Sequence, residues 1–240
     1  MDQLLAIVPS ISFAALMVVG VIGYMIYAQK HRAQIQKDTA DYQAGAMAQR
    51  LGMRIERGDP HQNLFVNTQL FETAKIDVAL RGERHGVPIE IVYLKETWTE
   101  TGIVSSTIHR KWEGRLTART PAQFGHFEVS LRQPQSYNVV RSYFAHPMPE
   151  LPTGDPRTDS LLRVTGDNPP IAGALGPLLA PLTRLNYVHV IGRPGEVTFL
   201  MSHCAGGRGL EMMGVGYALH DAELIFDVLT RIALTAEGRA

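Results

Sequence analysis

The stretch SHCAGGRGLEMMGVG, residues 202–216, sets the only cysteine of the chain beside a histidine and follows them with five glycines in eleven positions. A thiol next to an imidazole suggests a nucleophile and its base, and clustered glycines suggest a cradle for phosphate. The spacing argues against both. A dinucleotide loop needs G-x-G-x-x-G, yet starting from Gly207 the third glycine is Met212, and starting from Gly214 it is Leu219. A Walker loop needs a Gly-Lys pair, and the chain has none. His203 and Cys204 are sequence neighbours, so on a strand their side chains would leave by opposite faces. The stretch therefore reads as a strand end running into a turn, with Cys204 a small apolar filler; a histidine from elsewhere in the fold is the way a thiol site would survive.

Other chemistry is equally sparse. The nine histidines are scattered, without H-E-x-x-H, C-x-x-C or histidines paired at i, i+4, so neither a metal nor another cofactor is expected. No G-x-S-x-G elbow is present. His189 alternates with Tyr187 and Ile191 in a strand-like run, which suits a hydrogen-bonded core or interface histidine better than a ligand. Asp59, Asp155 and Asp167 lie beside proline or glycine, where turns are made; Glu90 is the remaining candidate acid. Trp98 and Trp112 bracket Thr99–Gly102, read as a loop whose aromatics edge a core, with an interface anchor as the alternative. No catalytic residue is assigned, and an enzyme is not expected.

The elements that would position such residues follow from periodicity. Residues 75–98 give two β-rich runs around Gly82 and Gly86, a hairpin with a longer loop. Residues 106–120 and 125–132 alternate as half-buried strands, with further candidates at 138–146 and 160–166. The run 171–186 is apolar but broken by Pro177 and Pro181, which predicts a short helix. Residues 187–192 and 196–203 form a hairpin around Arg193–Gly195. Asp221 caps a closing helix that buries Leu224, Ile225, Val228, Leu229 and Ile232. The fold class expected is α+β, a mostly antiparallel sheet with a C-terminal packing helix.

Ahead of this domain, Leu4 to Ala28 contains no charged residue. Twenty-five residues would cross a hydrocarbon core of roughly 30 Å as a helix. Lys30, Arg32 and Lys37 flank only its carboxyl side, which predicts a single-pass protein with its amino end outside and its domain cytoplasmic. Residues 33–52 read as a helical stalk with Ile35, Tyr42, Ala46 and Leu51 as a thin stripe. The expected organisation is a transmembrane helix over 1–29, a stalk over 30–52 and an α+β domain over 53–240. Within the span, Ser12, Ala15, Val19, Gly20 and Gly23 form a face of small residues able to dock against another helix.

The patterns AMAQRLGMRIERGDP (46–60), LF (70–71) and VALRGERHGVPIEIVYL (78–94), with a strand pair and terminal helix over 187–236, resemble an uncharacterised family of bacterial membrane-anchored proteins with a cytoplasmic domain of unknown function. That resemblance implies a bacterial inner-membrane setting and supplies architecture without a site. Acidic and basic residues balance at 23 each, so nucleic acid is not an expected partner. The expectation is an interaction protein, an accessory or assembly subunit of a membrane complex, with the lipid bilayer and other integral membrane proteins as partners. A module binding a small molecule or lipid headgroup is the alternative, and an enzyme with an unrecognised site the more distant one.

Overall fold

The computed structural model describes residues 18–28, 30–31, 44–57, 63–64, 74–101, 106–133, 146–205 and 211–239. The chain forms two units, 1–43 and 44–240.

The first unit corrects the sequence reading. Among the described residues no helix is long and apolar enough to cross a membrane. The described helical stretch at 18–28 has eleven residues and rises about 16 Å, roughly half of a hydrocarbon core. The expected transmembrane helix is overturned, and with it the single-pass inner-membrane placement and the cytoplasmic orientation built on its flanks. Ser12 and Ala15 lie outside the described residues. Val19, Gly20 and Gly23 lie on the 18–28 stretch, where a Cβ at either glycine would meet nothing within 4 Å.

The second unit is an α+β domain built on one antiparallel sheet. Helix α1 (44–51) leads into β1 (Arg54–Arg57), β2 (Asn63–Leu64), β3 (Ala74–Arg84), β4 (Val87–Thr101), β5 (Ser106–Arg119) and β6 (Phe127–Leu131). Helix α2 (Pro156–Leu161), β7 (Leu162–Gly166), α3 (Pro169–Leu179) and a 3-10 turn (Ala180–Arg184) follow. Strands β8 (His189–Arg193) and β9 (Glu196–Ala205) and helix α4 (Glu211–Ala236) close the chain. The strand order is β1-β3-β4-β5-β9-β8-β6-β7, with β2 also beside β3.

Alternation sorts every strand into two sides. Leu80, Ile91, Leu116, Phe199, Val190, Val129 and Val164 stand opposite one another in successive pairs and form the core face. Helix α4 covers that face with Ile225, Phe226, Leu229, Ile232 and Ala233. Helix α1, expected in a stalk, adds Met47 and Ala48 to the same core, and Ala44, Met47, Ala48 and Leu51 recur at i, i+3, i+4, i+7.

Phe127 sits between two glycines, facing Gly192 of β8 and Gly166 of β7. A Cβ at Gly192 would lie 1.9 Å from the Phe127 ring, so the ring occupies the space that a side chain there would need.

Several boundaries differ from the sequence reading. Strands β3 and β4 turn through His85 and Gly86 alone, both at positive φ (53° and 76°), where a longer loop was expected. Thr99 to Thr101, expected in a loop, continue β4, and Trp98 stands opposite His109 within the ladder; Gly102 lies outside the described residues. Helix α4 starts at Glu211, ten residues before Asp221, and runs through Gly214 and Gly216. Residues 138–145 of the expected strand 138–146, and Asp59, lie outside the described residues.

Candidate functional site

Residues 202–205 are the end of β9, where His203 and Cys204 pair in register with Trp112 and Lys111 of β5. The turn expected after them falls on residues 206–210, which lie outside the described residues. His189, opposite Leu200 in the continued β8–β9 register, is four residues from Cys204 along the strand direction, roughly 13 Å.

His189 belongs to the second face of the sheet. Its Nε2 lies 2.8 Å from Oε1 of Glu128, with both side chains buried. A carboxylate holding an imidazole is part of the machinery of nucleophilic catalysis, but among the described residues no hydroxyl or thiol is bonded to the ring. Thr117 and Thr198, on the same face, share a 3.0 Å hydrogen bond with each other.

A ladder of alternating charge also crosses this face, beside the buried apolar residues Ala79, Ile191 and Leu200. Glu56 on β1 accepts from Arg81 on β3, and Arg81 Nε donates to Glu90 on β4 at 2.8 Å. Arg119 on β5 donates to Glu90 at 2.9 Å and lies 3.7 Å from Glu196 on β9, which accepts from Arg193 on β8. Burial opposes ionisation of Glu90, but hydrogen bonds from Arg119 and Arg81 more than offset it and hold the carboxyl below its ordinary range. Both of its oxygens are thus occupied by cations. Such an acid holds strands together and has no free proton chemistry.

Two of the other candidate acids, Asp155 and Asp167, are occupied too. Asp155 caps α2, held below the ordinary carboxyl range first by the Thr158 hydroxyl. Asp167 accepts from the backbone N–H of His126 at 2.8 Å, and its other oxygen is 3.1 Å from that ring. Among the described residues no group of three or more metal-ligating side chains assembles.

One opening among the described residues is mostly apolar. A cleft of about 370 Å³ lies between α3, the last turns of α4 and the segment 122–124. Phe124, Leu175 and Ile232 are its buried floor; Ile171, Ala174 and Leu178 line one wall; Thr235 and Ala236 line the other. The rim carries Gln123 and Asn168. No charged or titratable residue lines it among the described residues.

The fold holds these walls in place. Helix α3 buries Ala172, Leu175, Gly176 and Leu179, which leaves Ile171, Ala174 and Leu178 as a second stripe at i, i+3, i+7. A Cβ at Gly176 would lie 2.9 Å from Thr153 Oγ1, so glycine lets the helix settle against that segment. The 120–126 wall is clamped at each end. Thr120 N–H donates to the Gly195 carbonyl at 3.0 Å, Gly195 N–H donates back to Ala122 at 3.1 Å, and Asp167 N–H donates to His126 at 3.0 Å. The Thr120 hydroxyl also donates to Glu237 at 2.7 Å, past the end of α4. Phe124 stacks at a tilt on Phe127, 5.9 Å between ring centres, and so ties the floor to the core. The cleft is preformed.

None of its lining residues except Ile232 was singled out from the sequence, and Ile232 only as core. The available signal was the surplus of apolar residues in IAGALGPLLA, more than one buried stripe needs.

No family model matches the chain, and no curated protein matches it. Among solved structures, the crystal structure of the mycobacterial trehalose monomycolate transport factor A, TtfA, is similar at 10% sequence identity and a TM-score of 0.42, covering 80% of this chain and 95% of that one. Likeness at that level carries no argument about the fold or the role of this chain.

Proposed function

We propose that residues 44–240 form a non-catalytic binding module whose α3–α4 cleft takes the apolar chain of a small amphiphile. The observation that supports this is the contrast between an apolar cleft and the engagement elsewhere of Glu90, Asp155 and Asp167. Ligand pockets are concave, largely apolar and marked by a few polar groups, commonly about 300–1,000 Å³. At about 370 Å³ this cleft stands at the small end, which suits one chain rather than two. Catalysis would need an acid, base or nucleophile at the reacting atoms; among the described lining residues no titratable group is present, and the Thr235 hydroxyl donates to the Arg231 carbonyl at 2.8 Å.

The test is calorimetric titration of the full-length protein with decanol, beside Ala174→Trp, which fills the cleft from a wall. The expected result is saturable one-to-one binding by the wild type, absent in Ala174→Trp, with both proteins unfolding at similar urea concentrations. Equal binding by the two places the ligand elsewhere and removes the cleft from the account.

A further inference from the structure

Resting on that reading of the cleft, we infer that its rim selects an uncharged, hydrogen-bonding head on the ligand, an alcohol or amide, over a carboxylate or an ammonium. Helix α3 begins at the cleft mouth, and the first N–H groups of a helix ordinarily attract anions. Here Pro169 and Pro170 fill the first two positions and carry no N–H, and Ile171 N–H donates to the Asn168 carbonyl at 3.2 Å. The donors that a carboxylate would seek are missing from the one helix start at the mouth.

Neighbouring charges do not replace them. Asp167, next to Asn168, is engaged by His126. Glu237, next to Ala236, accepts from the Thr120 hydroxyl and from Arg239, which hold its carboxyl below the ordinary range. Both acids would repel an anion, and their own partners leave them little to offer a cation. A charge carried into this apolar cleft would lose its hydration without gaining a counter-charge.

The rim groups that remain are neutral. Asn168 precedes α3 yet makes no side-chain capping bond, so its amide keeps both donor and acceptor. Gln123 donates from Nε2 to the Pro121 carbonyl at 3.4 Å. Amides that give and receive hydrogen bonds match a hydroxyl or carboxamide head, which does the same.

The experiment compares decanol, decanoate and decyltrimethylammonium on the full-length protein at pH 7, by calorimetry below their aggregation thresholds. Decanol is expected to bind at least about tenfold more tightly than either ion, the margin set by desolvating an unpaired charge. Pro170→Ala restores one N–H at the helix start and is expected to move the decanoate-to-decanol affinity ratio about threefold towards decanoate. Equal affinity for all three compounds, or tightest binding by either ion, overturns this inference and leaves the apolar cleft standing. Binding by none of them overturns the cleft as well.

Discussion

The two faces of the sheet use the same strands and solve opposite problems. On the covered face, apolar side chains meet α1, α3 and α4, and shape decides the fit. On the other, Glu56, Arg81, Glu90, Arg119, Glu196 and Arg193 run from β1 to β8 as alternating charges, with the Glu128–His189 and Thr117–Thr198 pairs beside them. The lesson concerns where function has room. The charges on the polar face are largely paired within the fold, whereas the apolar layer opens at the α3–α4 cleft, whose rim carries an Asn168 amide that makes no capping bond.

If shape governs the covered face, its most sensitive point is Gly192, where the Phe127 ring fills the space of a missing side chain. Gly192→Ala is expected to cost about 3 kcal/mol, because the ring must leave its place between two strands. Urea denaturation measures this. A loss below about 1 kcal/mol would mean that the core yields more easily than close packing allows.

The charged face is probed at Glu90. Glu90→Gln is expected to cost about 2 kcal/mol near neutral pH, since Arg81 and Arg119 keep only their outer partners, Glu56 and Glu196. The sign of the pH dependence follows from the depressed carboxyl. Its contribution is complete above the ordinary value of 4.5 and is lost as pH falls through the lower folded-state value. The stability gap between wild type and Glu90→Gln should therefore be constant from pH 7 to pH 5 and close in more acidic solution. A gap that instead widened on acidification would show that the ladder is not built on an ionised Glu90.

The smallest effect lies at the β3–β4 turn, which belongs to neither face. His85 adopts a φ of 53°, and its contact with Asp227 is 3.8 Å between exposed groups. An exposed pair of that length contributes little, so His85→Gly should be within about 0.5 kcal/mol of the wild type by thermal unfolding. Replacement by valine, which resists positive φ, should be clearly worse.

How far the sequence revealed this depended on which signal each element carried. The β8–β9 hairpin was legible because its alternation is strong and Pro194-Gly195 punctuates it. The start of α4 was not, because Gly214 and Gly216 read as breakers, yet helix runs through both; a cost of about 1 kcal/mol per glycine is small beside what a 26-residue helix gains by packing. The apolar run 4–28 read as a span on composition alone, while the described helix covers only 18–28. The cleft was illegible for a different reason. Periodicity marks Ile171, Ala174 and Leu178 as apolar, but only the placement of α4 and the clamped 120–126 segment decides that they line an opening.

The central claim is that this opening holds an apolar ligand, and methyl NMR of the full-length protein tests it most directly. On titration with decanol, the account predicts saturable shifts concentrated at Ile171, Leu178 and Ile232, which line the cleft, with Ile89 and Ile191 unmoved because they lie on strands away from it. Shifts absent from the three cleft methyls, or spread evenly over the molecule, would contradict it.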